Sequence, residues 1–237
     1  MGTLLYHCMG LGDHLVMNGW VRSWYEKYSH EGNIHLLCKF SNEENVKWMF
    51  KDLPKLKVFS VKDDNKAKQI FKGFKGRKIN GFEFFNITRQ DITKVNGYWC
   101  YKYYGLNPDD RYNKFFFPRD LNIENNAYQE IIGDLKDYIF VADDPERGFN
   151  LQVKSNFPII KAHDLKEYKL HELIKVMNKA KECHVMWSSI FLLLDALEIR
   201  PLFVHDSYLN RIIELQPTHP QFSYFINDLK ERNITFI

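Results

Sequence analysis

The stretch 6–24, YHCMGLGDHLVMNGWVRSW, constrains the fold more than any other part of the chain. Leu4, Leu5 and Tyr6 form a short apolar run that leads into Gly10-Leu11-Gly12-Asp13-His14. Leu15, Val16, Trp20, Val21, Trp24 and Tyr28 then recur at three- and four-residue steps. An apolar run, a glycine turn and a helical period make a strand–turn–helix unit, the opening of an α/β nucleotide-binding layer. Gly10 and Gly12 permit a tight turn and let a ligand approach the backbone closely. Asp13 stands where the helix begins, so it can cap that helix or face the crevice at the strand's carboxyl end. His14 can orient Asp13 or serve the hydrogen bonding of the first turn. Val16 and Met17 follow where the G-x-G-x-x-G fingerprint needs its last glycine, which argues against a dinucleotide-binding dehydrogenase.

Further along, 33–40 and 57–61 read as strands, and Ser41 with Glu44 as a capping box for a helix to about Lys51. Asp63 is placed to cap a helix over 66–72. The segment 91–104 reads as a helix stopped by Gly105 and Pro108, and 111–120 as an extended connector. A helix over 122–135 precedes strands at 138–141, 149–153 and 157–160, and a helix over 170–181. A strand at 183–186, a helix over 190–197, a strand at 201–204, a helix over 219–231 and an apolar piece at 234–237 complete the chain. Alternating strands and helices, interrupted near 116–137, predict an α/β protein of two small Rossmann-like, doubly wound domains facing a cleft. The expected division is 1–120, 121–218 and a terminal helix and tail over 219–237 that packs back on the first domain.

Composition excludes several classes. A net charge of +3 with interleaved lysines and acids gives no electrostatic case for nucleic acid. No run approaches the roughly 20 apolar residues of a membrane span, and the amino terminus does not read as a signal peptide. Cys8, Cys38, Cys100 and Cys183 contain no C-x-x-C pair; they read as small core residues in a reducing, cytoplasmic compartment, with no structural zinc site.

Ligands of open parallel sheets bind at the carboxyl ends of strands. Three loops qualify here: 10–14; 143–148, with Asp143, Asp144 and Arg147; and 187–189, with Ser188 and Ser189. Serines at a helix start can bind phosphate through hydroxyl and backbone N–H groups, or simply cap the helix. Arg147 beside Gly148 suits bidentate pairing with a diphosphate, or is a surface turn residue. Together these groups fit transfer from a nucleotide-activated donor to a hydroxyl. Asp13 would be the general base, and Arg147 with the serine turn would stabilise the departing diphosphate without a metal or cofactor.

GLGDH followed by N-G-x-V-R resembles the amino-terminal motif of GT-B glycosyltransferases of the heptosyltransferase type. AKECHVMWSSIFLLLDALEIRPLFVH is similar to that family's second-half pattern of strand, serine- or threonine-rich turn, helix and proline-led strand. YIFVADDPERGF adds a weaker likeness to small sugar-transferase-like chains. The resemblance implies a GT-B-like fold, with Asp13 as catalytic base, Gly10 and Gly12 as its turn, and Ser188 and Ser189 as the donor's phosphate site. It implies a nucleotide-sugar substrate and a glycan or glycoconjugate acceptor. Trp187 stands where the pattern has an acid or small polar residue, and Ser189 or Ile190 where it has glycine, so the donor need not be ADP-heptose. The leading expectation is an inverting, metal-independent glycosyltransferase. The alternatives are a nucleotide-sugar epimerase or hydrolase, and a non-catalytic nucleotide- or glycan-binding module.

Overall fold

The computed structural model describes residues 2–7, 9–81, 101, 104–205 and 234–237, apart from the side chains of Arg147 and Phe236. The chain divides into two units, Met1–Pro118 and Arg119–Ile237.

The first unit is built on strands β1 (Thr3–Tyr6), β2 (Ile34–Lys39), β3 (Leu56–Val61) and β4 (Arg77–Asn80). They pair in parallel in the order β3-β2-β1-β4. All four residues of β1 are buried, which is why its apolar run is unbroken rather than alternating. Successive side chains point to opposite faces. Leu4 and Tyr6 share one face with Leu37 and Val61, covered by Ala67, Ile70 and Phe71 of helix α4 (Asp64–Gly73). Ser60 lies on the opposite face and donates to Glu43 of helix α3 (Glu43–Met49) at 2.7 Å. Asp63 caps α4 as expected, accepting from the Lys66 amide.

Three local expectations are corrected in this unit. The helix after the first turn is broken into α1 (Leu11–Val16) and α2 (Asn18–Tyr28). The Tyr101 hydroxyl enters the ladder there, accepting from the Trp20 amide at 2.7 Å and donating to the Val16 carbonyl at 3.2 Å. Those are the two groups a continuous helix would join directly. Ser41 does not cap α3: it lies in the 3₁₀ turn Phe40–Asn42, and Asn42 precedes the helix with no side-chain cap bond. The expected connector begins as a short helix, α5 (Asp110–Asn113), whose Asp110 carbonyl packs against Gly19. A Cβ on Gly19 would lie 1.9 Å from that oxygen, so only glycine permits the crossing.

The second unit carries β5 (Ile139–Ala142), β6 (Ile159–Lys161), β7 (Glu182–Val185), β8 (Leu202–Val204) and β9 (Ile234–Phe236). They form a second all-parallel sheet in the order β6-β5-β7-β8-β9. Among the described residues its helices are α6 (Leu121–Ile132), α7 (Ile174–Lys179) and α8 (Ser189–Ala196). Asp120 caps α6 by accepting from the amides of Asn122 and Ile123. The Tyr138 hydroxyl donates to the Val176 carbonyl of α7 at 2.6 Å.

Residues 149–153 form no strand. Leu151 and Val153 pack as a loop against Ile139 and Val141, so the burial that made the segment look like a strand comes without a ladder. The helix expected over 170–181 is confined to α7, and the tail 234–236 is the edge strand of this sheet rather than part of a separate piece. The expected helices over 91–104 and 219–231 lie outside the described residues, except for Tyr101 and Tyr104, as do Cys8 and Cys100. Cys38 and Cys183 are buried free thiols, and burial pushes both up to about 12.

Candidate functional site

In the first sheet the strand order reverses between β1 and β4, and in the second between β5 and β7. Crevices open at the carboxyl ends of such strand pairs. The loop after β1 holds GLGDH. The loop after β5 holds Asp143, Asp144 and Arg147, and the loop after β7 leads into Ser188 and Ser189. Every loop singled out from the sequence therefore flanks a switch point.

Gly10 precedes α1 with an extended backbone, φ −68° and ψ 152°, and Gly12 lies within the helix, so neither supplies a left-handed turn. A Cβ at position 10 would stand 2.8 Å from Asp13 Oδ2, so a larger residue there would displace that side chain. That oxygen accepts from the Gly10 amide at 3.1 Å, a half capping box that ties the carboxylate back over the helix start. Asp13 is thus both a cap and a group at the crevice edge. Burial raises its pKa, opposed by the Gly10 hydrogen bond and by Lys39, while Asp64 adds to the rise. Lys39 ends β2 and pairs with Asp64 at 3.5 Å. Asn42 donates to the Met9 carbonyl at 2.8 Å and anchors the loop from the β2 side.

His14 is turned into the core. Its ring lies 4.6 Å from that of His7, both nitrogens lack a hydrogen-bond partner among the described residues, and burial holds its pKa well below the ordinary histidine value. It makes no hydrogen bond to Asp13. Asn18 and Arg22 of the N-G-x-V-R segment are structural. Arg22 pairs bidentately with Asp52 at 2.7 and 3.0 Å and donates to Asn18 at 3.0 Å and to the Phe116 carbonyl at 2.9 Å.

In the second unit Ser188 is the N-cap of α8, its hydroxyl accepting from the Phe191 amide at a long 3.5 Å. Ser189 is the first helical residue, and first-turn amides have no acceptor within the helix. Trp187 packs on Phe191, with ring centroids 4.7 Å apart. Asp144 and Phe149 exchange backbone hydrogen bonds of 2.9 Å that close the 143–148 loop, with Gly148 at φ +82°. The backbone of Arg147 lies in the 3₁₀ turn Pro145–Arg147; its side chain is outside the described residues. Asp143 is enclosed, and its Oδ1 meets Nδ1 of His163 at 2.6 Å. His163 went unnoticed in the sequence because it stands outside any motif, and only the pairing of β5 with β6 brings it to Asp143. Among the described residues no group of three or more His, Cys, Asp or Glu side chains is placed to hold a metal ion, and no helix is long and apolar enough to cross a membrane.

No protein-family model and no curated protein matches this chain. Among solved structures it is similar to the ADP-heptose LPS heptosyltransferase II of E. coli, with a TM-score of 0.53 and 9% identity. The match covers 86% of this chain and 84% of that one. A glycosyl transferase of family 9 from Veillonella parvula DSM 2008 gives a TM-score of 0.48 at 9% identity, over 86% of this chain and 80% of the other. The likeness to the E. coli enzyme bears out the expected fold class: parallel-sheet, Rossmann-like α/β units of the heptosyltransferase type.

Proposed function

We propose that the protein is a glycosyltransferase that moves a sugar from a nucleotide-sugar donor to a hydroxyl of a glycan or glycoconjugate acceptor. The observation that carries this reading is Asp13. It is a carboxylate at the switch point of the first sheet, fixed by the Gly10 amide and raised in pKa by burial, as a general base requires. Asp13 takes the proton of the acceptor hydroxyl as its oxygen bonds to the anomeric carbon. The bond from that carbon to the diphosphate breaks on the opposite side, so the configuration inverts and a nucleoside diphosphate leaves. In the second unit the Ser188–Ser189 helix start and Arg147 receive the diphosphate, whose charge is met by first-turn amides, the helix dipole and a guanidinium. No metal or cofactor is assigned to this chemistry.

The fold likeness to an enzyme named for ADP-heptose supports a nucleotide-sugar donor as the substrate class. A thermal-shift panel of nucleoside diphosphates and their sugars tests the reading. A shift selective for one diphosphate supports it and identifies the base for an acceptor screen. Turnover of the donor without acceptor would favour an epimerase or hydrolase. The absence of any shift in a folded sample would overturn donor binding.

A further inference from the structure

The enclosed side chain of Asp143 is the least explained charge in the second unit. Burying a carboxylate costs several kcal/mol unless it is paired. Here one oxygen faces His163 Nδ1 at 2.6 Å, while among the described residues Oδ2 has no hydrogen-bond partner and lies 4.0 Å from Lys161 Nζ. Asp143 follows β5, and His163 follows the neighbouring β6 within the 3₁₀ turn Ala162–Asp164. A carboxylate can only accept, so the contact holds the imidazole with a proton on Nδ1 and leaves Nε2 as its outward edge. Nε2 lies 3.3 Å from Asp164 Oδ1, a side chain 69% exposed and able to turn into water, whereas the His163 side chain is 26% exposed. The ring is thus partly exposed after β6, and its second nitrogen faces a displaceable partner.

We propose that His163 is a further phosphate-recognition residue of the donor site, and that Asp143 is its positioning residue. The assignment rests on the reading of the second unit as the donor-binding half. When donor binds, Asp164 swings out and Nε2–H donates to a diphosphate oxygen, with Lys161 as the neighbouring cation. The ring takes that second proton from solvent as the diphosphate arrives, and then donates from both nitrogens, to Asp143 and to the diphosphate. As the bond to the anomeric carbon breaks, charge accumulates on the diphosphate oxygen and the hydrogen bond strengthens; no proton need leave the ring. The same loops also carry Asp144, Arg147, Glu167 and the internally neutral Glu146–Lys166 ion pair.

Binding of ADP, UDP, GDP and CDP, and of the four parent nucleosides, would be measured by calorimetry on wild-type protein, His163→Gln and Asp143→Asn. The diphosphate that binds wild type should bind His163→Gln at least about tenfold more weakly, the loss expected for a charged hydrogen bond. Its parent nucleoside should bind both equally. Asp143→Asn should weaken the same diphosphate several-fold, with unchanged nucleoside binding and no loss of Tm, a pattern that damaged folding does not produce. Equal diphosphate affinity in wild type and His163→Gln would overturn the role of His163 and leave the donor reading standing. If no diphosphate binds wild type, the donor reading fails and the assignment with it.

Discussion

The hydroxyl of Tyr101 lies 2.7 Å from the backbone nitrogen of Trp20 and occupies the place of a backbone hydrogen bond in the first helical segment. By also donating to Val16 it satisfies both groups freed at Met17 and sets the angle between α1, which carries Asp13, and α2. Tyr101→Phe should cost about 1–3 kcal/mol, the usual penalty for stranding buried polar groups. Urea unfolding with an unchanged m-value would show it. A loss below about 0.5 kcal/mol would mean that Trp20 and Val16 close the ladder themselves.

Gly19 is where α2 meets the Asp110 carbonyl. Gly19→Ala places a methyl group against backbone rather than against a flexible side chain, so α5 must move. A loss of about 2–3 kcal/mol is expected, at the upper end for overpacking. A midpoint within experimental error of wild type would show that α5 yields without cost.

For Asp13 the proposed chemistry and the electrostatics predict opposite effects of one substitution. Asp13→Asn keeps an acceptor for the Gly10 amide but cannot take a proton, so kcat should fall at least about 100-fold. Because burial raises this pKa in the folded state, ionisation of Asp13 works against folding. Wild type is favoured at pH values below the ordinary carboxyl range and loses that advantage as pH rises through the folded-state pKa. Asp13→Asn should therefore match or exceed the wild-type Tm at pH 7, with the gain vanishing near pH 3. Undiminished transfer would remove Asp13 from the mechanism.

His14 predicts a pH effect of the other kind. Its folded-state pKa lies well below 6.5, so unfolding takes up a proton once the pH falls below that value. Stability contributed by the neutral ring is present above pH 6.5 and declines below it, by up to about 1.4 kcal/mol per pH unit for one proton. His14→Phe removes that proton uptake and, among the described residues, breaks no hydrogen bond of the ring. Its unfolding free energy should change less between pH 6.5 and 5 than that of wild type. An identical slope would assign the acid sensitivity to other groups.

The parts of this fold that were legible in the sequence are those determined by neighbours along the chain. Leu4–Leu5–Tyr6 reads as a buried strand because parallel strands covered on both faces are continuously apolar. Asp63 and Ser188 announce helix starts through amides only three residues away. Long-range partners left no such trace. Tyr101 acts on Trp20 from 81 residues away, and Asp143 finds His163 only through strand pairing. The same distance explains the N-G-x-V-R segment: Arg22 answers to Asp52 and Phe116, so its role is packing that no local motif reveals. Phe149–Val153 misled because alternation reports burial, and a loop can be buried as Leu151 is.

The strand order of the first sheet also bears on how the chain is made. β1 pairs with β2 on one side and with β4 on the other, where Thr3 meets Arg77. On the ribosome, Thr3–Tyr6 emerges well before β4, and it keeps one edge and much of its apolar surface unpaired until β4 has been synthesised. Such delayed, non-local pairing is slow and leaves nascent chains prone to aggregation. Expression at low temperature, or with a chaperone that shields hydrophobic segments, should therefore raise the soluble yield more than substitutions on the surface of the finished protein.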